Sequence, residues 1–265
     1  MPEPVQLDRA FGRQAFGADA ANYDAARPAY PAWVFEALRD ECGVGAGSHV
    51  FEIGAGTGKA TGPLLALGAD PLLAIEPDAR LASYLRGAFS TPALSVTTQT
   101  FEDAELPAGA FDLGLSATAF HWLHEGPALA KIARSLKAGG WWAAMWNNFG
   151  DDAYPDLFHD ATQGVLNGPS SPGGGPIPFG LDAAARIGAI DATGAFERVL
   201  YRTSHWPLVL TADQTVALYA TYSNVTAMPN AAQALAELHR VAETEFGGRV
   251  TRNMTTILYL ARRRA

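Results

Sequence analysis

Two carboxylates and three closely spaced glycines define the chemistry open to this chain. In His49-Val50-Phe51-Glu52-Ile53-Gly54-Ala55-Gly56-Thr57-Gly58-Lys59 an apolar run ends in a glutamate and then meets glycine at alternate positions. Glycine lacks Cβ, so the chain can turn sharply off a strand and let a ligand touch bare backbone. A helix-like run from Lys59 to Leu67 follows, and a helix that begins there points N–H groups at that ligand. The arrangement suits a large ligand lying across the carboxyl end of a parallel sheet. The spacing G-x-G-x-G is neither a phosphate loop nor the dinucleotide fingerprint, so Lys59 is not a phosphate-loop lysine. By itself the pattern reads equally well as a tight turn. A second acid changes the balance. Pro71-Leu72-Leu73-Ala74-Ile75-Glu76-Pro77-Asp78 reads as a short buried strand ending in a carboxylate. Glu76 then lies where such folds hold a ribose, and a carboxylate can accept from both hydroxyls of a vicinal diol. It would also start the next helix favourably, near the positive end of the dipole. The two roles are compatible.

The elements that position these residues alternate. The pattern predicts strands at 48–53, 71–75, about 94–98, 111–116 and 141–146. Helices fall at 31–39, 58–67, 78–88 and 127–137, and residues 1–30 read as irregular or partly helical. Strands alternating with helices imply a parallel sheet covered on both faces. The second half predicts helices at 153–166, 182–190, 211–221 and 230–246, with strands at 196–206 and 250–261. Residues 167–180 are crowded with Gly, Pro and Ser and read as a loop. The fold class is α/β: a Rossmann-like doubly wound sheet of about seven strands, mostly parallel, with a helical cap. The organisation is one domain. Residues 1–45 form an N-terminal cap, 46–147 the ligand-binding core and 148–265 a variable half.

Composition excludes several function classes. The chain has 265 residues, 48% hydrophobic and 17% charged, which is globular rather than disordered. The net charge of −8 comes without a basic stripe, against a nucleic-acid partner. Arg262-Arg263-Arg264 is the one basic cluster and reads as a solvated tail. The single cysteine, Cys42, cannot close a disulfide within the chain, which fits a reducing cytoplasm. No leader, membrane-crossing run or metal-ligand spacing is apparent.

The chain resembles the class I S-adenosylmethionine-dependent methyltransferases. Phe51 to Gly58, Ala74-Ile75-Glu76-Pro77-Asp78, Phe101-Glu102-Asp103-Ala104-Glu105-Leu106-Pro107, Phe111 to Trp122 and Leu136-Lys137-Ala138-Gly139-Gly140 carry the likeness, in the family's order and spacing. The resemblance implies S-adenosylmethionine as cofactor and S-adenosylhomocysteine as product. It places Glu52, Gly54, Gly56 and Gly58 around the methionine part and Glu76 on the ribose. Phe101 would stack on the adenine and Glu102 accept from its amine, with Asp103 as the alternative to Glu102, because the family more often has Asp there. Ser116 and Ala117 would lie beside the sulfonium. It also implies that the last two strands pair antiparallel, with inserted helices capping the site. The run from Phe16 to Pro31 resembles a branch of small-molecule methyltransferases in which this segment folds over the cofactor. Arg27 would pair with the cofactor carboxylate through a forked contact, or else bond a nearby Asp on an exposed linker. Tyr23 would line the methyl-transfer cavity.

Methyl transfer is an in-line displacement that depends chiefly on positioning, which can supply about 7–11 kcal/mol. A hydroxyl acceptor also needs a base. His121, in Ala119-Phe120-His121-Trp122, is the candidate. It would act as base or as an orienting residue, or it would tie the loop down. His124 is a weaker candidate that reads rather as a surface residue, and His205-Trp206 reads as structural. Trp146, Phe149, Tyr154, Phe158, Phe179, Tyr219 and Tyr222 divide between an apolar substrate pocket and ordinary core. The segment 168–180 is either a lid or a surface loop. The expected activity is methylation of a small molecule, at oxygen before nitrogen or carbon, by a cytoplasmic monomer or homodimer. The alternative is a protein of this fold that binds the cofactor without methylating. A nicotinamide oxidoreductase is disfavoured by the glycine spacing.

Overall fold

Strands β1 (Ser48–Ile53), β2 (Ala69–Ile75), β3 (Leu94–Thr97), β4 (Phe111–Ala117), β5 (Leu136–Asn148), β6 (Phe196–Thr211) and β7 (Arg249–Arg263) form one sheet in the order β3-β2-β1-β4-β5-β7-β6. This is a computed structural model, and it describes residues 6–173 and 177–265. β1 through β5 pair in parallel, while β7 runs antiparallel between β5 and β6. The Rossmann-like arrangement read from the sequence is the one observed.

Alternation along the strands sends side chains to two cores. Trp141, Ala143 and Met145 of β5 join Leu258 and Leu260 of β7 on one face. Trp142, Ala144 and Trp146 join Ile257 and Tyr259 on the other. The first face is covered by α3 (Ala32–Cys42), α4 (Thr61–Leu67) and α5 (Ala79–Ala88), through Leu38, Leu64 and Leu85. The second is covered by α6 (Glu125–Ser135) and α8 (Ala183–Ala192), through Leu129, Ile132 and Ile190. Leu38, Leu64 and Leu85 are fully buried, each contributing about 1.5–3 kcal/mol relative to exposure. A third, smaller core joins α7 (Leu157–Thr162), α9 (Ala212–Tyr219), α10 (Ser223–Thr226) and α11 (Ala231–Phe246) to the start of β7. Two N-terminal helices, α1 (Arg9–Ala15) and α2 (Ala20–Ala26), precede the sheet.

Several boundaries differ from the sequence reading for identifiable reasons. α4 begins at Thr61, not at residue 58. Residues 54, 56 and 58 all take positive φ, which a helix does not allow. β5 begins at Leu136, and Gly139-Gly140 forms an irregularity inside it instead of introducing it. A Cβ at Gly140 would crowd the Lys137 and Phe111 carbonyl oxygens at 3.0 Å. α7 is much shorter than 153–166, because Pro155 precedes it and Asp156 caps it in an extended conformation. β6 runs through Pro207 to Thr211. It is an edge strand, where a residue without an N–H is tolerated. The Arg262-Arg263-Arg264 cluster is not a free tail. Arg262 and Arg263 lie in β7, and Arg262 Nη1 is 3.3 Å from Glu197 Oε1. Among the described residues no helix is long and apolar enough to cross a membrane.

Candidate active site

β1 lies where strand order reverses, with β2 on one side and β4 on the other. A crevice necessarily opens outside the carboxyl ends of strands at such a point. There the protein has a cavity of about 480 Å³. Gly54 and Gly56 reach it from the loop after β1 and Glu76 from the end of β2. Phe101 and Glu102 reach it from the loop after β3, and Ala117 and His121 from the end of β4 and the turn beyond. Tyr23 and Arg27 reach it from α2 and its C-terminus.

The glycine loop is a backbone cradle. A Cβ on Gly54 would stand 2.5 Å from Ala119 Cβ, whereas one on Gly56 would meet no atom within 4 Å and would project into open space. Gly56 donates its N–H to Glu76 Oε2 at 2.8 Å, and Asp78 donates to Oε1 at 2.9 Å. These bonds fix the Glu76 carboxylate while leaving each oxygen a second lone pair. Burial pushes its pKa up to about 7 against those two bonds, with Asp78 adding to the rise. The helix beyond offers fewer free donors than its position suggests, because Gly62 donates to Gly58 O and Pro63 has no N–H.

Glu52 lies one layer deeper. It is 1% exposed and accepts from the Thr61 hydroxyl at 2.6 Å. Burial pushes its carboxyl up to about 8, Thr61 pulls it back and Glu76 adds repulsion. Glu52 and Thr57 line a second space of about 50 Å³, which shares Tyr23, Arg27, Gly54 and Gly56 with the larger cavity. The Thr57 hydroxyl is buried there and has no partner among the described residues.

Two predicted site residues sit elsewhere. Gly58 faces α5, where a Cβ would come within 2.4 Å of Phe89 and 2.7 Å of Leu85. It lets the loop pack and lines neither space. Ser116 is fully buried and donates to Ile53 O at 3.1 Å, tying β4 to β1. Asp103, the alternative to Glu102, accepts from the Thr100 hydroxyl at 2.6 Å and is not part of the cavity wall. The Phe101 ring stacks on Phe51 at 6.2 Å on its core side.

Arg27 is neither exposed on a linker nor bonded to an aspartate. Its Nε donates to Thr221 Oγ1 at 2.8 Å and Nη2 to Thr221 O at 2.9 Å. Its guanidinium lies 4.1 Å from the Tyr222 ring centroid and 5.1 Å from that of Tyr23. His121 has its Nδ1 3.3 Å from the Trp146 indole nitrogen, which donates to it. Burial first, then Arg27 and Arg9, pushes its pKa down to about 3. A group held that low is neutral throughout the physiological range. His124 is exposed, and His205 pairs with Asp151 at 3.2 Å.

The rest of the wall is aromatic. Of the seven aromatics singled out in the second half, Trp146, Phe149, Phe179 and Tyr222 line the cavity, whereas Tyr154, Phe158 and Tyr219 do not. Gly12, Phe16 and Thr118 line it unforeseen. A Cβ on Gly12 would fall 2.3 Å from the Trp122 ring, so glycine there lets α1 lie against that indole. The strong aromatic pattern Phe11-Gly12 and Phe16-Gly17 was the available signal for this packing. Of the segment 168–180, Ser170, Ser171, Pro172, Pro178, Phe179 and Gly180 border the cavity, and residues 174–176 lie outside the described residues. No group of three or more His, Cys, Asp or Glu suited to a metal occurs among the described residues.

Comparison with known proteins agrees with this geometry. Residues 51–144 match the family described as "Methyltransferase domain". An uncharacterized methyltransferase-like protein of Schizosaccharomyces pombe is 32% identical over 142 residues, 54% of each chain. An uncharacterized methyltransferase of Mycobacterium bovis is 32% identical over 133 residues, 50% of this chain and 52% of that one. The matched region thus spans about half the length of these curated relatives. Among solved structures, the phosphoethanolamine N-methyltransferase 2 of Haemonchus contortus superposes with a TM-score of 0.61 at 12% identity, covering 98% of this chain and 61% of that one. The [4+2]-cyclase SpnF superposes with a TM-score of 0.58 at 13% identity, covering 99% and 98%. At these identities the structures establish the fold alone. Residues 51–144, with their glycine loop and the acid ending β2, thus match the methyltransferase-domain family, and the fold is the one seen in these methyltransferase structures.

Proposed function

We propose that the protein binds S-adenosylmethionine in the crevice outside β1, β2 and β4 and transfers its methyl group to a small-molecule acceptor, at oxygen in preference to nitrogen or carbon. The observation that carries this reading is the combination of a bare Gly54–Gly56 backbone with a backbone-fixed Glu76 on one wall of a single cavity. Glu76 has lone pairs to spare for a ribose diol. Phe101 and Glu102 stand beside it for the adenine. The methionine end would lie against Gly54, Gly56 and the unpartnered Thr57 hydroxyl, over Glu52, with Tyr23 and Arg27 closing that side. Ala117 borders the sulfonium region. When bound, the cofactor supplies a methyl carbon activated by its bond to a sulfonium sulfur.

The chain's own work is positional. The Phe16, Trp122, Trp146, Phe149, Phe179 and Tyr222 side chains remove water from the acceptor region and present flat apolar surfaces to it. Aligning acceptor and methyl carbon in such a pocket is worth about 7–11 kcal/mol of barrier. Residues 1–45 act as the N-terminal cap, 46–147 hold the cofactor, and 148–265 supply the acceptor side. Net charge −8 disfavours nucleic acid as acceptor, and a lone cysteine suits the cytoplasm.

Isothermal titration with S-adenosylhomocysteine, followed by tritium transfer from labelled cofactor into a metabolite extract, tests the proposal. Binding with labelled product supports it. Binding without product across a broad panel favours a non-methylating protein of the same fold, and no binding removes both readings.

A further inference from the structure

His121 is the one titratable side chain in the turn after β4 that faces the cavity, and one side of its ring is already committed. The indole N–H of Trp146 donates to Nδ1 at 3.3 Å. An indole nitrogen can only donate. Nδ1 therefore holds a lone pair, and the proton of the neutral ring is on Nε2. Nε2 has no hydrogen-bond partner among the described residues, and it is not among the buried polar atoms left without one. It opens on the cavity that His121 lines.

The surroundings keep the ring in that state. Trp122 and Phe179 lie against it at 5.3 and 6.1 Å between centroids. Arg9 of α1 donates Nη1 to the carbonyl of His121 at 2.9 Å, and Arg27 follows α2. The charges that act on His121 are those of Arg27 and Arg9, both cations; its neighbours Trp146 and Phe179 are uncharged, and Arg186, which lies over Phe179 at 3.6 Å, is paired with Glu125 at 3.3 Å. A positive charge on His121 would be repelled by both. The carboxylates on the cavity wall, Glu76 and Glu102, follow β2 and β3, on the far side of β1 from the β4 turn that carries His121.

We propose that Trp146 is a positioning residue that locks His121 as a neutral ring donating through Nε2–H, so that His121 orients the methyl acceptor without taking its proton, and that the acceptor is a small apolar-bodied molecule whose attacking atom is an oxyanion. The proposal rests on the methyl-transfer reading above. In the transfer a lone pair of the oxyanion forms the bond to the methyl carbon. The carbon–sulfur bond breaks with its electron pair remaining on sulfur. The negative and positive charges vanish together, and no proton is released for a base to collect. The field of Arg9 and Arg27 attracts such an acceptor, and the aromatic walls accommodate its body.

The test begins with the protein alone. Imidazole-¹⁵N-labelled protein is followed by two-bond nitrogen–proton correlation from about pH 5 to about pH 8.5, with His121→Gln assigning the signal. His121 should show the Nε2–H neutral pattern throughout, and Trp146→Phe should shift the signal to a tautomer mixture or make it titrate. A His121 signal that titrates between about pH 6 and 7 in the wild type, or an Nδ1–H pattern, overturns the lock. The wild-type spectrum decides this even if Trp146→Phe fails to fold. The acceptor class is read by tritium transfer to aromatic and aliphatic carboxylic acids paired with the alcohols of the same body. Label in the acids at least tenfold above the alcohols supports the oxyanion. Label favouring the alcohols, or none in the acids, overturns it. A failure of cofactor binding in the titration is a different outcome, because it removes the methyl-transfer reading and leaves the His121 spectrum standing.

Discussion

Glu52 holds its proton because the fold gives it a single hydroxyl partner and no counter-charge. Its carboxyl rises from the ordinary value of 4.5 to about 8. Between those values the folded state binds more protons than the unfolded chain, so the linkage sign is negative and stability falls as pH rises through the window. The contribution is fully present below about pH 4.5 and lost above about pH 8. Glu52→Gln should therefore flatten the decline in thermal midpoint between about pH 5 and about pH 8.5; a slope equal to that of the wild type would contradict the shift. Gly56 makes a different point. Its φ is +58° and a Cβ would project into the open cradle. Gly56→Val should lower affinity for S-adenosylhomocysteine at least a hundredfold in a calorimetric titration, by filling the space and straining a left-handed backbone. Retained affinity would show that the ligand lies elsewhere. Legibility at this scale was uneven. That Gly54, Gly56 and Glu76 come together on one cavity wall could be read from type and spacing. Gly58 and Ser116 could not, because whether a glycine meets a ligand or Phe89, and whether a serine faces a cavity or Ile53, depends on residues remote in sequence.

The element that most needs support is β7, which enters the sheet antiparallel and brings a charge into the smallest core. Arg252 and Asp156 are each about 1% exposed and 2.6 Å apart. Asp156 also caps α7 and accepts from Asn253 N–H at 2.9 Å. Arg252 donates to the Tyr219 hydroxyl and lies 4.0 Å from the Phe149 ring centroid. One pair thus joins α7, α9 and β7 and backs a wall of the cavity. Removing one partner strands the other charge. Asp156→Ala should cost about 3–5 kcal/mol in urea unfolding, whereas Glu237→Ala, which breaks the exposed pair with Arg240, should leave the unfolding midpoint unchanged. Equal effects for the two would show that Arg252 is solvated. The sequence predicted the existence and type of most elements from apolar periodicity. It overextended α7 and truncated β6, because a proline's consequence depends on its place. Pro155 stops a helix, while Pro207 is harmless on an edge.

At the scale of the molecule the cavity is enclosed by parts that are far apart in the chain. Arg9 bonds the His121 carbonyl, Asn22 Nδ2 donates to Ala217 O at 3.1 Å, and Arg27 binds Thr221. The N-terminal helices thereby span from the β4 turn to the helices between β6 and β7. A ligand in this enclosure should stabilise the whole fold. Saturation with S-adenosylhomocysteine at about 100 times its dissociation constant adds about 2.7 kcal/mol, or about 5–10 °C in thermal midpoint for a chain this long. No shift at saturation would exclude binding to the folded protein.

Local sequence determined the β–loop–α grammar: short apolar runs bounded by turn residues that read as strands, glycines that allow positive φ, and acids at strand ends that must find donors. Those properties travel with the residues themselves, so they were readable before folding. Tertiary structure alone decided which cations surround His121, that Trp146 claims its Nδ1, that Arg27 is clasped by Thr221, and which aromatics are wall and which are core. Charge, desolvation and hydrogen-bond partnership are set by neighbours within a few ångströms, and here those neighbours are remote in sequence: 25 positions for Trp146 and His121, 112 for Arg9 and His121, 194 for Arg27 and Thr221.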